Sequence, residues 1–139
     1  MHFETEQNDR YALLRSHVEK LDSTKAPDLK SEIVYLNKQG YRNMIVDLSA
    51  SKYCDSSGLS AILVGNRLCK ENDGSFVLAG VQDGVQKLIS ISQLEGVINI
   101  TPTVEEAKDL LFMEEVERDL GKEEDDDEND DSEADGSSS

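Results

Sequence analysis

The sequence is poor in the residues that most active-site chemistry requires. Two cysteines, Cys54 and Cys69, among 139 residues are too few for a disulfide framework, so a reducing cytosol is the simpler reading. Two histidines, His2 and His17, are too few and too scattered to suggest a metal site. No apolar run reaches the length of a membrane span, and no signal-peptide pattern opens the chain. The expectation is a cytoplasmic protein with no membrane partner. Positive charge is also scarce: 14 Lys and Arg stand against 30 Asp and Glu, a formal net charge of −16. No basic stripe offers itself to phosphates, which argues against direct nucleic-acid binding.

The acidic excess is concentrated at one end. Residues 113–139 hold 14 Asp and Glu against 2 Lys and Arg, a net of −12, which leaves −4 on residues 1–112. Beyond about Leu120 the chain consists of Gly, Lys, Asp, Glu, Asn, Ser and Ala. Nothing there can bury enough apolar surface to offset the entropy of ordering, so residues 121–139 are expected to form a disordered acidic tail. Such a tail serves either to solubilise the chain or to attract a basic partner. Residues 1–112 are expected to form one α/β domain, with the last helix extending to about residue 120.

Within that domain, apolar runs and helical periodicities alternate. Residues 3–7 and 11–18 read as a hairpin around Asn8-Asp9. Leu21 to Thr24 reads as a loop. Pro27 suits a first helical turn, Leu29, Ile33 and Leu36 share one helix face, and Gly40 closes that helix. Asn43–Leu48 and Ser75–Ala79 read as buried strands. Between them, Leu59, Ile62, Leu63 and Leu68 mark a helix that ends at Asn72-Asp73-Gly74. Val85, Leu88 and Ile89 mark a short helix, and Val97–Ile100 a last strand. Thr103-Val104-Glu105-Glu106 is a capping box, followed by a helix with Ala107, Leu110 and Leu111 on its apolar side. The order β-β-α-β-α-β-α-β-α predicts a mixed, mostly parallel sheet of four to five strands with about four helices.

One stretch carries more chemistry than its surroundings. Cys54-Asp55-Ser56-Ser57-Gly58-Leu59 lies at a turn from strand to helix. Three roles compete for it: a nucleophile, a phosphate-accepting switch, or a helix cap. The hydrolase elbow Gly-x-Ser-x-Gly is absent, as are the phosphate-binding Gly-x-x-x-x-Gly-Lys-Ser/Thr and a dinucleotide fingerprint. A serine nucleophile also needs a base within reach, and neither histidine is placed to supply one. The expectation is therefore no enzyme and no cofactor. Asp and Ser are favoured N-cap residues, so a purely structural role for the cluster stays open.

The wider pattern resembles a known family. Met44-Ile45-Val46-Asp47-Leu48, then Tyr53 to Leu59, then Ala61-Ile62-Leu63, resembles the signature of the STAS domain. It is more closely similar to the bacterial anti-sigma factor antagonists, or anti-anti-sigma factors. Leu21-Asp22-Ser23-Thr24 resembles the family's segment before its first helix. Gly74–Val81, Val85-Gln86-Lys87-Leu88 and Val97-Ile98 follow in the family's order, so that the likeness covers about residues 5–112. The chain departs from the pattern at Glu19-Lys20, where the family often has a glycine, and in its long acidic tail.

The resemblance implies a STAS-like fold and a regulatory role in transcription. By position, Ser56 is the phosphate acceptor. The implied partner is an anti-sigma factor with a histidine-kinase-like fold that phosphorylates this serine, and a serine phosphatase resets it. The unphosphorylated protein would bind the kinase and free a sigma factor. Asp22, Ser23, Thr24, Asp55, Ser57 and Gly58 are the expected partner-binding residues. Asp55 is expected to orient the acceptor hydroxyl, contact the partner or cap the helix, and Ser57 is expected to be the main cap. Gly58 is expected to admit a close approach by another chain. The alternative is a STAS scaffold or ligand-binding module with no phosphorylation cycle.

Overall fold

The computed structural model describes the backbone of residues 2–128 and the side chains of residues 2–121. The elements in chain order are β1 (Phe3–Gln7), β2 (Ala12–Ser16), β3 (Lys20–Leu21), α1 (Ala26–Lys38), β4 (Met44–Asp47) and β5 (Tyr53–Cys54). Then come α2 (Ser56–Glu71), β6 (Phe76–Ala79), α3 (Asp83–Ile91), β7 (Asn99–Thr101) and α4 (Val104–Glu128).

Five strands form a sheet in the order β1-β2-β4-β6-β7. Only the β1–β2 pair is antiparallel; β2–β4, β4–β6 and β6–β7 are parallel. The fold is thus mixed α/β with a mostly parallel sheet and four helices, as the alternation of the sequence predicts. The central strands are apolar on both sides because both faces of the sheet are covered. Leu14, Val46 and Leu78 point into a large core with Leu29 and Ile33 of α1 and Ile62 of α2. Leu13, Ile45 and Val77 point the other way, onto Ala107 and Leu111 of α4. Helices α1 and α2 therefore lie across the sheet from α4.

Local signals explain the ends of the elements. Gly40 adopts φ +103°, and the Tyr41 N–H reaches the Leu36 carbonyl at 3.2 Å, which closes α1 in the way a glycine after a helix allows. The Glu106 N–H donates to Thr103 Oγ1 at 3.1 Å, one half of the expected capping box.

The structure differs from the sequence reading in several places. The short strands β3 and β5 pair with each other in a separate two-stranded sheet, Lys20 with Tyr53 and Leu21 with Cys54. The last strand begins at Asn99 rather than Val97, because the Val97 and Ile98 N–H groups turn back to the Leu94 carbonyl at 3.0 and 3.2 Å. Helix α4 continues beyond residue 120 to Glu128, into the segment whose composition suggested disorder. Glu and Lys are good helix formers and no proline interrupts them. The remainder of the expected tail, 129–139, lies outside the described residues.

Candidate functional site

The cluster Asp55–Gly58 sits where the chain leaves β5 and enters α2. Its position is set from below. The buried Ser51 hydroxyl donates to the Val18 carbonyl at 2.7 Å and lies 2.8 Å from the buried Ser16 hydroxyl. These contacts tie the end of β2 to the approach of β5. Lys52 and Tyr53 N–H groups both donate to the Glu19 carbonyl, and the Asp55 N–H donates to the Leu21 carbonyl at 3.3 Å. The register then places Asp22 and Asp55 one step beyond the paired residues Leu21 and Cys54. Two segments far apart in sequence, 22–24 and 55–57, thus emerge side by side.

Asp55 is the N-cap of α2. Its backbone is extended (φ −106°, ψ −172°), so its carboxylate folds over the first turn. Oδ1 accepts from the N–H of Ser57 at 2.9 Å and of Gly58 at 3.1 Å. The main cap is therefore Asp55 and not Ser57, which already lies inside the helix. The Asp55 oxygen is committed to backbone donors instead of to the Ser56 hydroxyl.

Ser56 is the first helical residue and is exposed; Ser57 is half-buried. Gly58 is buried. A Cβ there would lie 2.4 Å from the Leu21 carbonyl oxygen and 2.7 Å from the Cys54 sulfur. The close approach that this glycine permits is made by the protein's own β3, which corrects the expectation of a glycine held open for a partner.

The neighbouring loop is organised by Asp22. Its Oδ1 accepts from the Thr24 N–H at 3.0 Å and the Thr24 hydroxyl at 2.7 Å. Those two hydrogen bonds, and more weakly the charge of Lys25, hold the Asp22 carboxyl below its ordinary value of 3.8. Ser23 and Thr24 are exposed. Between this loop and α2 runs a groove of about 370 Å³, with Ser23 and Pro27 on one side and Ser57, Ser60 and Val64 on the other. Lys30 supplies its positive charge. Tyr53, 52% exposed just before the cluster, adds an aromatic ring to the same end of the molecule. Lys30, Ser60 and Tyr53 were not foreseen as site residues. Tyr53 carried a signal in the strand alternation, since Cys54 points inward and its neighbour must point out.

The surroundings do not build a nucleophile. The Cys54 thiol is pushed up to about 12, first by burial and then by the charge of Asp55; burial does the same to Cys69. His17 Nε2 is 2.9 Å from Glu4 on the neighbouring strand, and His2 Nε2 is 3.3 Å from the Lys25 ammonium. Among the described residues no group of three His, Cys, Asp or Glu side chains is arranged to hold a metal ion, and no helix is long and apolar enough to cross a membrane.

The order of elements agrees with a family assignment from sequence. The STAS domain family matches residues 2–107. The chain belongs to the STAS domain family. Its curated relatives include the anti-sigma-B factor antagonist of Staphylococcus aureus, 25% identical over 105 residues, which span 76% of this chain and 96% of that protein. Among solved structures, a proposed anti-sigma factor antagonist of Thermotoga maritima superposes with a TM-score of 0.70 at 22% identity. That match covers 78% of this STAS chain and 93% of the other. The Bacillus cell fate determinant SpoIIAA in its phosphorylated form gives a TM-score of 0.62 at 24% identity, covering 77% and 96% of the two chains.

Proposed function

We propose that this STAS protein is a phosphorylation-controlled anti-sigma factor antagonist. In this reading Ser56 accepts a phosphate from an anti-sigma factor kinase with a histidine-kinase-like fold. The unphosphorylated form binds that kinase and frees a sigma factor, and a serine phosphatase restores the binding form. The protein itself performs no catalysis. The observation that carries the reading is the exposed Ser56 hydroxyl at the first position of a 16-residue helix, with the 22–24 loop brought alongside. The names of the relatives and the phosphorylated form of SpoIIAA support it.

The electrostatics suit such a switch. A phosphoserine carries about −1.5 to −2 charge. The helix N-terminus tolerates that charge, so the fold survives modification. Asp55 already occupies the N–H groups of Ser57 and Gly58. The phosphate therefore stays at the surface beside a second anion, where a docking partner must desolvate both. A loss of about 3 kcal/mol on binding corresponds to more than a hundredfold in affinity. Asp22, Ser23, Thr24 and Tyr53 surround this point and supply the remaining contacts.

The test is incubation of the purified protein with ATP and a histidine-kinase-like anti-sigma factor from the same genome, read by intact-mass and peptide mass spectrometry. One added phosphate on Ser56, absent in Ser56→Ala, is the expected result. Ser56→Glu should keep the melting temperature and weaken kinase binding about a hundredfold or more. No phosphate, with the kinase active on another substrate, favours the second reading. That reading is a STAS module that binds a small ligand or scaffold partner in the groove beside Lys30, whose volume falls in the range of ligand pockets.

A further inference from the structure

Helix α4 is apolar on two opposite sides. Its first half buries Ala107 and Leu111 against the sheet. Its second half is fastened by polar contacts to the end of the sheet where β4, β6 and β7 begin. Glu114 accepts from Ser75 Oγ and from Asn99 Nδ2, the latter at 3.3 Å. Arg118 donates to Ser75 Oγ at 3.0 Å and to Asn43 Oδ1 at 3.5 Å. Arg10 pairs with Glu115 at 3.5 Å.

These anchors turn the other side of the helix outward. Phe112, Met113 and Leu120 are 53%, 53% and 54% exposed, and Val116 is half-buried beside them. Phe112, Val116 and Leu120 follow at four-residue intervals and Met113 lies three residues before Val116, so the four side chains share one outer face, a stripe about 100° wide. The Arg10 guanidinium lies over the Phe112 ring, 5.7 Å from its centre, at one side of the stripe. A sheet-facing helix needs only its inner face to be apolar, so Met113 and Leu120 are not required to cover the sheet.

The charge around the stripe determines what fits it. Asp109, Glu117 and Asp119 flank it and are exposed. Among the described residues the nearby cations are paired within the protein: Lys108 with Glu105, Arg118 with Ser75 and Asn43, and Arg10 with Glu115 and with the Phe112 ring at the side of the stripe. Residues 113–139 carry a net charge of −12. A second copy of the chain would set acidic rim against acidic rim. A membrane-surface helix carries Lys and Arg beside its apolar face, the opposite of this arrangement.

We propose that the outer face of α4 is a docking site for a partner protein's amphipathic helix whose apolar face is bordered by Lys and Arg. Docking of this kind reads the stripe through buried side chains and the rim through charge. The site lies across the sheet from Ser56, so it can be occupied whatever the state of that serine.

The test uses the full chain and a Leu/Lys amphipathic helical peptide, with a Leu/Glu peptide of the same apolar spacing as control, followed by calorimetric titration. The Leu/Lys peptide should bind, with an affinity that falls as salt rises, and the Leu/Glu peptide should not. Met113→Gln combined with Leu120→Gln changes only exposed side chains and should weaken binding about tenfold or more. Ser56→Glu should bind the peptide as the unmodified protein does. Equal binding by the double variant would show that the acidic tail acts alone and would overturn the proposal, as would no binding of the Leu/Lys peptide. Sedimentation equilibrium showing a dimer that the double variant dissolves would assign the stripe to a second copy and overturn it too.

Discussion

At the scale of single residues, the candidate site is decided by which group takes which hydrogen bond. Asp55 caps α2 through its carboxylate, and that leaves the Ser56 hydroxyl without structural duty. The cap role falls on Asp55, and the switch role is the one proposed for its neighbour Ser56. Asp55→Ala should therefore lower stability by about 1 kcal/mol in chemical denaturation, while Asp55→Asn, which still caps, should lose much less. Ser56→Ala should change little. Asp22 offers a pH readout. Its carboxyl is held low by Thr24, so the stability it contributes is present above the ordinary value of 3.8 and is lost as pH falls through the lower folded value. An NMR titration of the Asp22 carboxyl should find it depressed, and Thr24→Ala should return it toward 3.8. An unshifted Asp22 would mean that the loop is not ordered in solution.

At the scale of elements, the pairing of β3 with β5 organises the site. Four residues make this small sheet, yet it brings 22–24 beside 55–57. Gly58 is where α2 leans on β3. Gly58→Ala places a methyl against the Leu21 carbonyl and the Cys54 sulfur. The expected cost is about 1–3 kcal/mol, since backbone cannot yield as a flexible side chain can. Circular dichroism melting checks this. A neutral result would mean that β3 stands further from α2 than described. The same substitution should weaken binding at the Ser56 end, because the 22–24 loop moves with β3.

At the scale of the whole molecule, the two faces of the sheet are assigned different work. Helices α1 and α2 carry the serine and its groove on one side. On the other, α4 is fixed to the sheet through Leu111, Glu114 and Arg118 and presents an apolar stripe outward. The phosphate proposed at Ser56 would therefore add its charge on the face opposite this stripe.

What the sequence by itself determined is the alternation of strands and helices, the parallel sheet, the helix stops at Gly40 and Gly74, and the position of Ser56 at a strand-to-helix turn. These follow from periodicity, turn residues and the order of motifs, all of which are local or sequential. Tertiary structure alone decided the rest. The strands β3 and β5 are two residues each, too short for any periodicity, and exist because Leu21 and Cys54 meet across a long loop. Gly58 has no local mark to say whether its open side faces a partner or the protein's own β3. The outward stripe of α4 has ordinary helical spacing, and only the contacts of Leu111, Glu114 and Arg118 with the sheet fix which side faces out. In each case the deciding contact joins residues distant in sequence, and no pattern within a single segment encodes it.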